Sequence, residues 1–163
     1  MEKTEMSILN ILTEDARTPI SQIAVMLGET EATIADAIAR LERQRIILKY
    51  PALINWERVD VDQVEAMIEV RVTPQRESGF DAVAKRIYHF EEVKSMYLMS
   101  GSYDLLVLVQ ARTLKELALF VSQKLSTLET VTGTATSFVL KRYKEDGVVF
   151  EGKEPDKRLV ITP

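Results

Sequence analysis

The sequence contains no cysteine and a single histidine, His89. Without thiols there is no disulfide framework, no thiolate nucleophile and no cysteine-based zinc site, and one imidazole cannot build a histidine metal cluster. His89 reads as a surface or helix-end residue, because general-base chemistry needs a nucleophile and a pocket that the pattern does not supply. No catalytic residue, metal ligand or cofactor is therefore expected, and the chain reads as a non-enzyme. Long apolar runs are missing too: nothing reaches the ~18 consecutive apolar residues of a bilayer span. The opening MEKTEMSILN is acidic and polar, unlike a secretory leader. A cytoplasmic location with no membrane partner is the expectation. Positive charge is also scarce. The net charge is -4, and residues 1–63 hold 7 Lys and Arg against 11 Asp and Glu. That balance gives no global basic signature for nucleic acid.

What is present is organised. Hydrophobic residues make up 46% of 163 residues, enough for one ordinary domain or two small ones. Ile8, Leu9, Ile11 and Leu12 predict a helix over about residues 4–16, ending near Arg17-Thr18-Pro19. Ile20, Ile23, Ala24 and Leu27 fall at helical spacing with Gly28 as the stop, and Thr30 is a plausible cap for a third helix bearing Ile34, Ile38 and Leu41. Helix, tight glycine turn, helix is a helix-turn-helix pattern. RIILKYPALIN follows, apolar and β-favouring but interrupted by Pro51, which suits an edge strand or wing. Three short helices pack as plain structure unless a wing and basic residues accompany them. Here Arg40, Arg43, Arg45 and Lys49 cluster at the end of the third helix and beyond it.

After a polar connector at 56–63 the period changes. Val64, Ala66, Ile68, Val70 and Val72 alternate with polar or exposed-type neighbours, a half-buried strand. Phe80, Val83, Ala84 and Ile87 return to helical spacing, 93–100 and 103–111 read as a hairpin, and Leu114, Leu117, Val121, Leu125 and Leu128 mark another helix. Thr132 to Tyr143 reads as a last strand. The class is α+β: a winged helix-turn-helix over 1–55, then a ferredoxin-like βαββαβ domain over 64–144, and a tail, 145–163, with a small apolar end, RLVITP. Such a sheet carries helices on one face only, yet the third strand is apolar on both, with Leu105, Val107 and Val109 on one side and Leu106 and Leu108 on the other. A second subunit is the expected cover, giving at least a dimer.

The corner Ser100-Gly101-Ser102-Tyr103-Asp104 sits directly before that strand. Two readings stand. In one it is a hairpin turn in which Gly101 meets a backbone requirement and Asp104 caps local amides; in the other it is a ligand cradle.

With these pieces placed, ILNILTEDARTPISQIAVMLG, IARLERQRII with KYPALIN after it, and LMSGSYDLLVLVQA resemble the Lrp/AsnC family of transcription regulators, in the right order over about residues 7–143. The resemblance implies double-stranded DNA and an amino acid or related small metabolite as partners, with homo-oligomers that are dimers or built up to tetramers or octamers. It implies DNA contacts from Thr30, Glu31, Thr33, Asp36, Arg40, Arg43 and Lys49. Effector pockets lie between paired domains in the family; carried over, they are lined here by Ser100, Gly101, Ser102, Tyr103, Asp104, Leu114, Ser137, Phe138 and Val139. Turn amides would take a carboxylate there, and Asp104 would pair with an ammonium group. The chain departs from the pattern in the recognition segment: Glu29, Glu31 and Asp36 are acidic, and Ala37 stands where family members usually carry a basic residue. Acidic groups weaken a phosphate grip, although Glu31 has two other roles open to it, accepting from a cytosine amino group or sitting as a dipole partner. Two alternatives accompany the regulator reading. One is a metabolite-binding or assembly protein derived from such a regulator. The other is an enzyme resembling the siroheme decarboxylases, which the lone histidine disfavours.

Overall fold

The computed structural model describes residues 2–74 and 79–150. It divides into two compact units, one ending at Ile54 and the other beginning at Asn55. The apolar tail end RLVITP lies outside the described residues.

The first unit holds three helices, α1 (Lys3–Glu14), α2 (Ile20–Leu27) and α3 (Glu31–Arg43). Each starts and stops for a local reason. The Glu2 backbone amide donates to Glu5 Oε2 at 3.0 Å, satisfying one of the donors that a helix N-terminus leaves without a partner. Gly28 ends α2 in the left-handed region at φ 68, where a side chain would be strained. Thr30 caps α3 by accepting from the Thr33 amide at 3.1 Å. The buried core is Ile8, Ile23, Ala24, Ile34, Ala37 and Leu41. Ala37, in the segment where the family resemblance implies a basic residue, is 4% exposed and part of the core, because it follows Ile34 and precedes Leu41 at helical spacing. The expected wing strand is absent from the described residues as well. Ile46 and Ile47 bend back, their amides donating to the Leu41 carbonyl at 2.9 and 3.3 Å, and residues 48–54 form no strand, since Pro51 has no amide to donate and no described strand of the unit pairs with them. Tyr50 ties the segment back to α3, its hydroxyl donating to Glu42 Oε1 at 2.8 Å. Burial first, and that carboxylate second, push the Tyr50 phenol up to about 12.

The second unit opens with a single 3-10 turn, Trp56–Arg58, and then runs β1 (Val64–Val72), α4 (Asp81–Tyr88), β2 (Val93–Leu98), β3 (Leu105–Ala111), α5 (Leu114–Phe120) and β4 (Val131–Phe138). α5 continues into a π-helical turn, Val121–Leu125. The four strands form one antiparallel sheet in the order β2-β3-β1-β4, the split βαβ topology expected from the pattern. The tail adds a small hairpin, β5 (Lys144–Glu145) and β6 (Val148–Val149), turned by Asp146 and Gly147 at φ 45 and φ 81. One face of the sheet is sealed: Ala66, Ile68, Val70, Leu105, Val107 and Val109 pack on Val83, Ile87, Leu117, Phe120 and Leu125 from the helices. The register puts Met67 opposite Leu108 and Ser137, and Leu106 opposite Tyr97 and Glu69, so these point to the other face. No described helix of the unit covers that side, and Met67 and Tyr97 are exposed there.

Candidate functional site

Two groups of residues carry the functional expectations, one in each unit. On α3, Thr30, Glu31, Thr33 and Asp36 are placed along the N-terminal half, and Arg43 and Lys49 are exposed at and beyond its end. Thr30 and Thr33 are joined, their hydroxyl oxygens 2.8 Å apart. Arg40 differs from expectation. Its Nε donates to Glu5 Oε1 at 2.8 Å and Nη2 stands 3.7 Å from Glu2 Oε2, so its guanidinium braces α1 against α3. Nothing in the sequence marks this pair, whose members lie 35 residues apart. The Glu2 amide, and then Arg40, hold the Glu5 carboxyl below its usual value of 4.5. A depressed carboxylate contributes stability above its unfolded value and loses it as pH falls through the folded value. We therefore expect thermal unfolding between about pH 3 and 7 to show an acid limb of lost stability, beginning near the ordinary carboxylate value, that Glu5→Gln reduces.

In the second unit, the corner before β3 is held by β1. The Asp104 amide donates to the Val70 carbonyl at 3.0 Å, the Val72 amide donates to Asp104 Oδ2 at 2.8 Å, and Arg71 Nε donates to the Ser102 carbonyl at 3.1 Å. The β1–β4 pairing slips between Arg71 and Val72, at the residue whose amide the Asp104 carboxylate accepts. Gly101 gives a correction to the backbone reading. It is not in the left-handed region, and a Cβ built on it meets nothing within 4 Å. Neither its conformation nor the packing of its own chain demands glycine.

The expected effector residues fall into two sets. Ser100 to Asp104 lie at the Val70–Val72 end of β1, whereas Phe138 pairs with Ala66 and the Val139 amide donates to the Glu65 carbonyl at 2.9 Å. Leu114 follows β3 at the end where Ala111 pairs with Val64. From Ala66 to Val70 is about 13 Å of strand, so one chain does not bring the sets together. Val139 does line a cavity of about 260 Å³ with Asn55, Trp56, Glu65, Arg142 and Phe150. Arg142 organises it, pairing with Glu65 and, at 2.8 Å, with Glu145, while its amide donates to Glu57 Oε1 at 3.3 Å. Sequence reasoning has no signal for Arg142 beyond its place near a charged tail. A second groove, about 620 Å³, is lined by charged residues including Glu92, Lys94, Arg112 and Lys124. The corner lines neither of these two cavities.

A capped helix-turn-helix unit is followed by a split βαβ sheet with one open face, the two-part build that the sequence pattern implied. Residues 1–42 match the model of the AsnC-type helix-turn-helix domain, and residues 65–149 that of the Lrp/AsnC ligand binding domain. The chain belongs to the Lrp/AsnC family of transcription regulators. It is 48% identical to the HTH-type transcriptional regulator YugG of Bacillus subtilis, over 100% of this chain and 99% of that one. It is 28% identical to the regulator LrpA of Pyrococcus abyssi, over 88% and 99%. Among solved structures it resembles the leucine response regulatory protein LrpA of Mycobacterium tuberculosis, with TM-score 0.75 and 25% identity over 90% and 97% of the two chains. The regulator NMB0573 of Neisseria meningitidis, solved as an L-Met complex, shares the fold at TM-score 0.71 and 24% identity over 89% and 93%. Among the described residues no helix is long and apolar enough to cross a membrane.

Proposed function

We propose that this chain is a one-component regulator whose grip on DNA is set by a free amino acid or a closely related metabolite, bound between copies of the chain. The observation that carries the reading is the division of the expected effector residues between opposite ends of one sheet, on a domain whose other face leaves Met67, Leu106, Leu108 and Tyr97 without a covering helix among the described residues. A pocket drawn from both sets needs residues from two subunits, and pairing subunits is what the open face requires. The L-Met held by the Neisseria regulator supports an amino acid as the class of ligand. Ligand binding then biases subunit geometry, and with it the spacing of paired recognition helices. The test is calorimetry of the twenty amino acids against the full chain, with light scattering of the same samples. A ligand that binds an oligomer supports the reading; a monomer at micromolar concentration overturns it, and no ligand among the twenty removes the free amino acid as the effector.

For the DNA arm, Arg43 and Lys49 are the phosphate-binding side chains we carry forward. Arg43→Ala and Lys49→Ala should each lower the slope of log affinity against log salt by about one unit, the signature of one phosphate left without its cation. Arg40→Ala should instead lower the melting temperature and leave that slope unchanged, because Arg40 is spent on Glu5. Filter binding over a salt series separates the two outcomes. The derived metabolite-binding protein is the second reading, favoured by the acids of α3; genomic fragments that fail to bind at low salt would select it.

A further inference from the structure

The recognition helix is α3; what its surface adds is which base it is built to read. Ile34, Ala37 and Leu41 define the inward face. At 3.6 residues per turn the opposite face carries Ala32, Asp36, Ala39 and Arg43. Of the other polar groups of this stretch, Thr33 is joined to Thr30 and Arg40 to Glu5 and Glu2, while Glu31 is exposed in the first turn, about a quarter turn around the helix from this face. Asp36 is exposed at the centre of the outward face, ahead of Arg43 and one turn before Arg40, whose positive charge it stabilises. Its neighbours on that face, Ala32 and Ala39, are too short to hold the helix off the groove floor.

We propose that Asp36 is the specificity-determining residue of α3 and that it reads the N4 amino group of a cytosine in the major groove. An ionised carboxylate offers only acceptors. The donors on major-groove base edges are cytosine N4 and adenine N6, and adenine places its N7 acceptor beside the amino group, where a carboxylate is repelled. Guanine and thymine present no donor there. The flanking alanines fit thymine methyl groups, so each half-site should hold a G·C pair with its cytosine toward Asp36, next to a T-bearing step. The inference rests on the reading that this chain binds DNA through α3. It depends on a side chain opposite in charge to the usual phosphate- and guanine-seeking residues.

The test is selection from a randomised duplex library at low salt, with the full-length wild type and Asp36→Asn, both checked for folding by circular dichroism. Asp36 lies outside the buried core, so the substitution should leave the melting temperature unchanged. Wild type should enrich cytosine at one position per half-site. Asn pairs bidentately with adenine N6 and N7, so the variant should exchange that cytosine for adenine, with about a tenfold or larger change in preference. The same motif from both proteins, or retained DNA with no motif from either, overturns the assignment while leaving DNA binding intact. Retention of no DNA by either protein removes the DNA-binding reading and this proposal together.

Discussion

Val107→Asp is expected to leave no folded regulatory domain, while Leu108→Glu, one residue along the same strand, should leave the domain folded but single. Val107 is 0% exposed on the sealed face, among Ile68, Val70, Ile87 and Leu117. A carboxylate there has no partner and costs several kcal/mol, on top of the roughly 1.5–3 kcal/mol of a lost buried aliphatic side chain. Against a total stability of about 5–15 kcal/mol, that is enough to unfold a domain. Leu108 points the other way. It stands opposite Met67 and Ser95 on the side that no described helix covers, so within one subunit its replacement meets solvent. The cost falls on association instead, where a buried charge against its own symmetry mate is doubly unfavourable. Far-ultraviolet dichroism and sedimentation velocity read both outcomes. An oligomeric Leu108→Glu protein would mean that the open face is not where subunits meet, and a well-folded Val107→Asp would mean that the two faces have been exchanged.

The second large effect concerns the corner. Asp104→Asn retains an oxygen to accept the Val72 amide, so the melting temperature should move little. If the same carboxylate pairs with a ligand ammonium, effector affinity should fall by about tenfold to a hundredfold, the worth of a charge-assisted hydrogen bond over a neutral one. Asp104→Leu removes the acceptor altogether. It should destabilise the domain by about 1–3 kcal/mol, the penalty for a deprived amide at the nearly buried Val72. Gly101→Ala is the sharper discriminator. It asks nothing of the backbone and touches nothing in its own chain, so a loss of effector or partner binding at unchanged stability would mark something outside the chain that approaches the glycine. Calorimetry alongside thermal unfolding separates these cases. Equal effector affinity in wild type and Asp104→Asn would leave Asp104 with only its structural bond to Val72.

The parts of this molecule that are legible in the sequence share a property: their signal is local and repeated. The apolar stripe from Ile34 to Leu41, the Thr30 cap and the Gly28 stop specify α2 and α3 within one or two turns. The alternation from Val64 to Val72 specifies both a strand and which of its faces is buried. What sequence reasoning misses depends on partners far along the chain or on residues without chemical character. Alanine is at home inside or outside a helix, so the burial of Ala37 is set by its neighbours and not by its own side chain. Arg40 looks like a phosphate ligand because its carboxylate partner belongs to another helix. RIILKYPALIN has the composition of a strand but, among the described residues, no strand to pair with, and strand formation is a property of pairs. In the tail, Asp146-Gly147 is a readable hairpin signal, overshadowed by the surrounding charges. For the corner, composition leaves two readings, and the bond to Val72 supplies the structural one while the second carboxylate oxygen stays open to the other.

The two hydrophobic cores share no residue, and the chain passes from one unit to the other through an unpaired stretch ending at Ile54. For inheritance this makes the protein a compound of separable parts. Each core can therefore vary within itself, the helices around Ile8 and Ile34 and the sheet around Ile68 and Val107. Recombination within residues 51–54, beyond Ile47 and Tyr50, would join intact cores on either side. A lineage built this way can exchange what it senses and what it controls as independent characters.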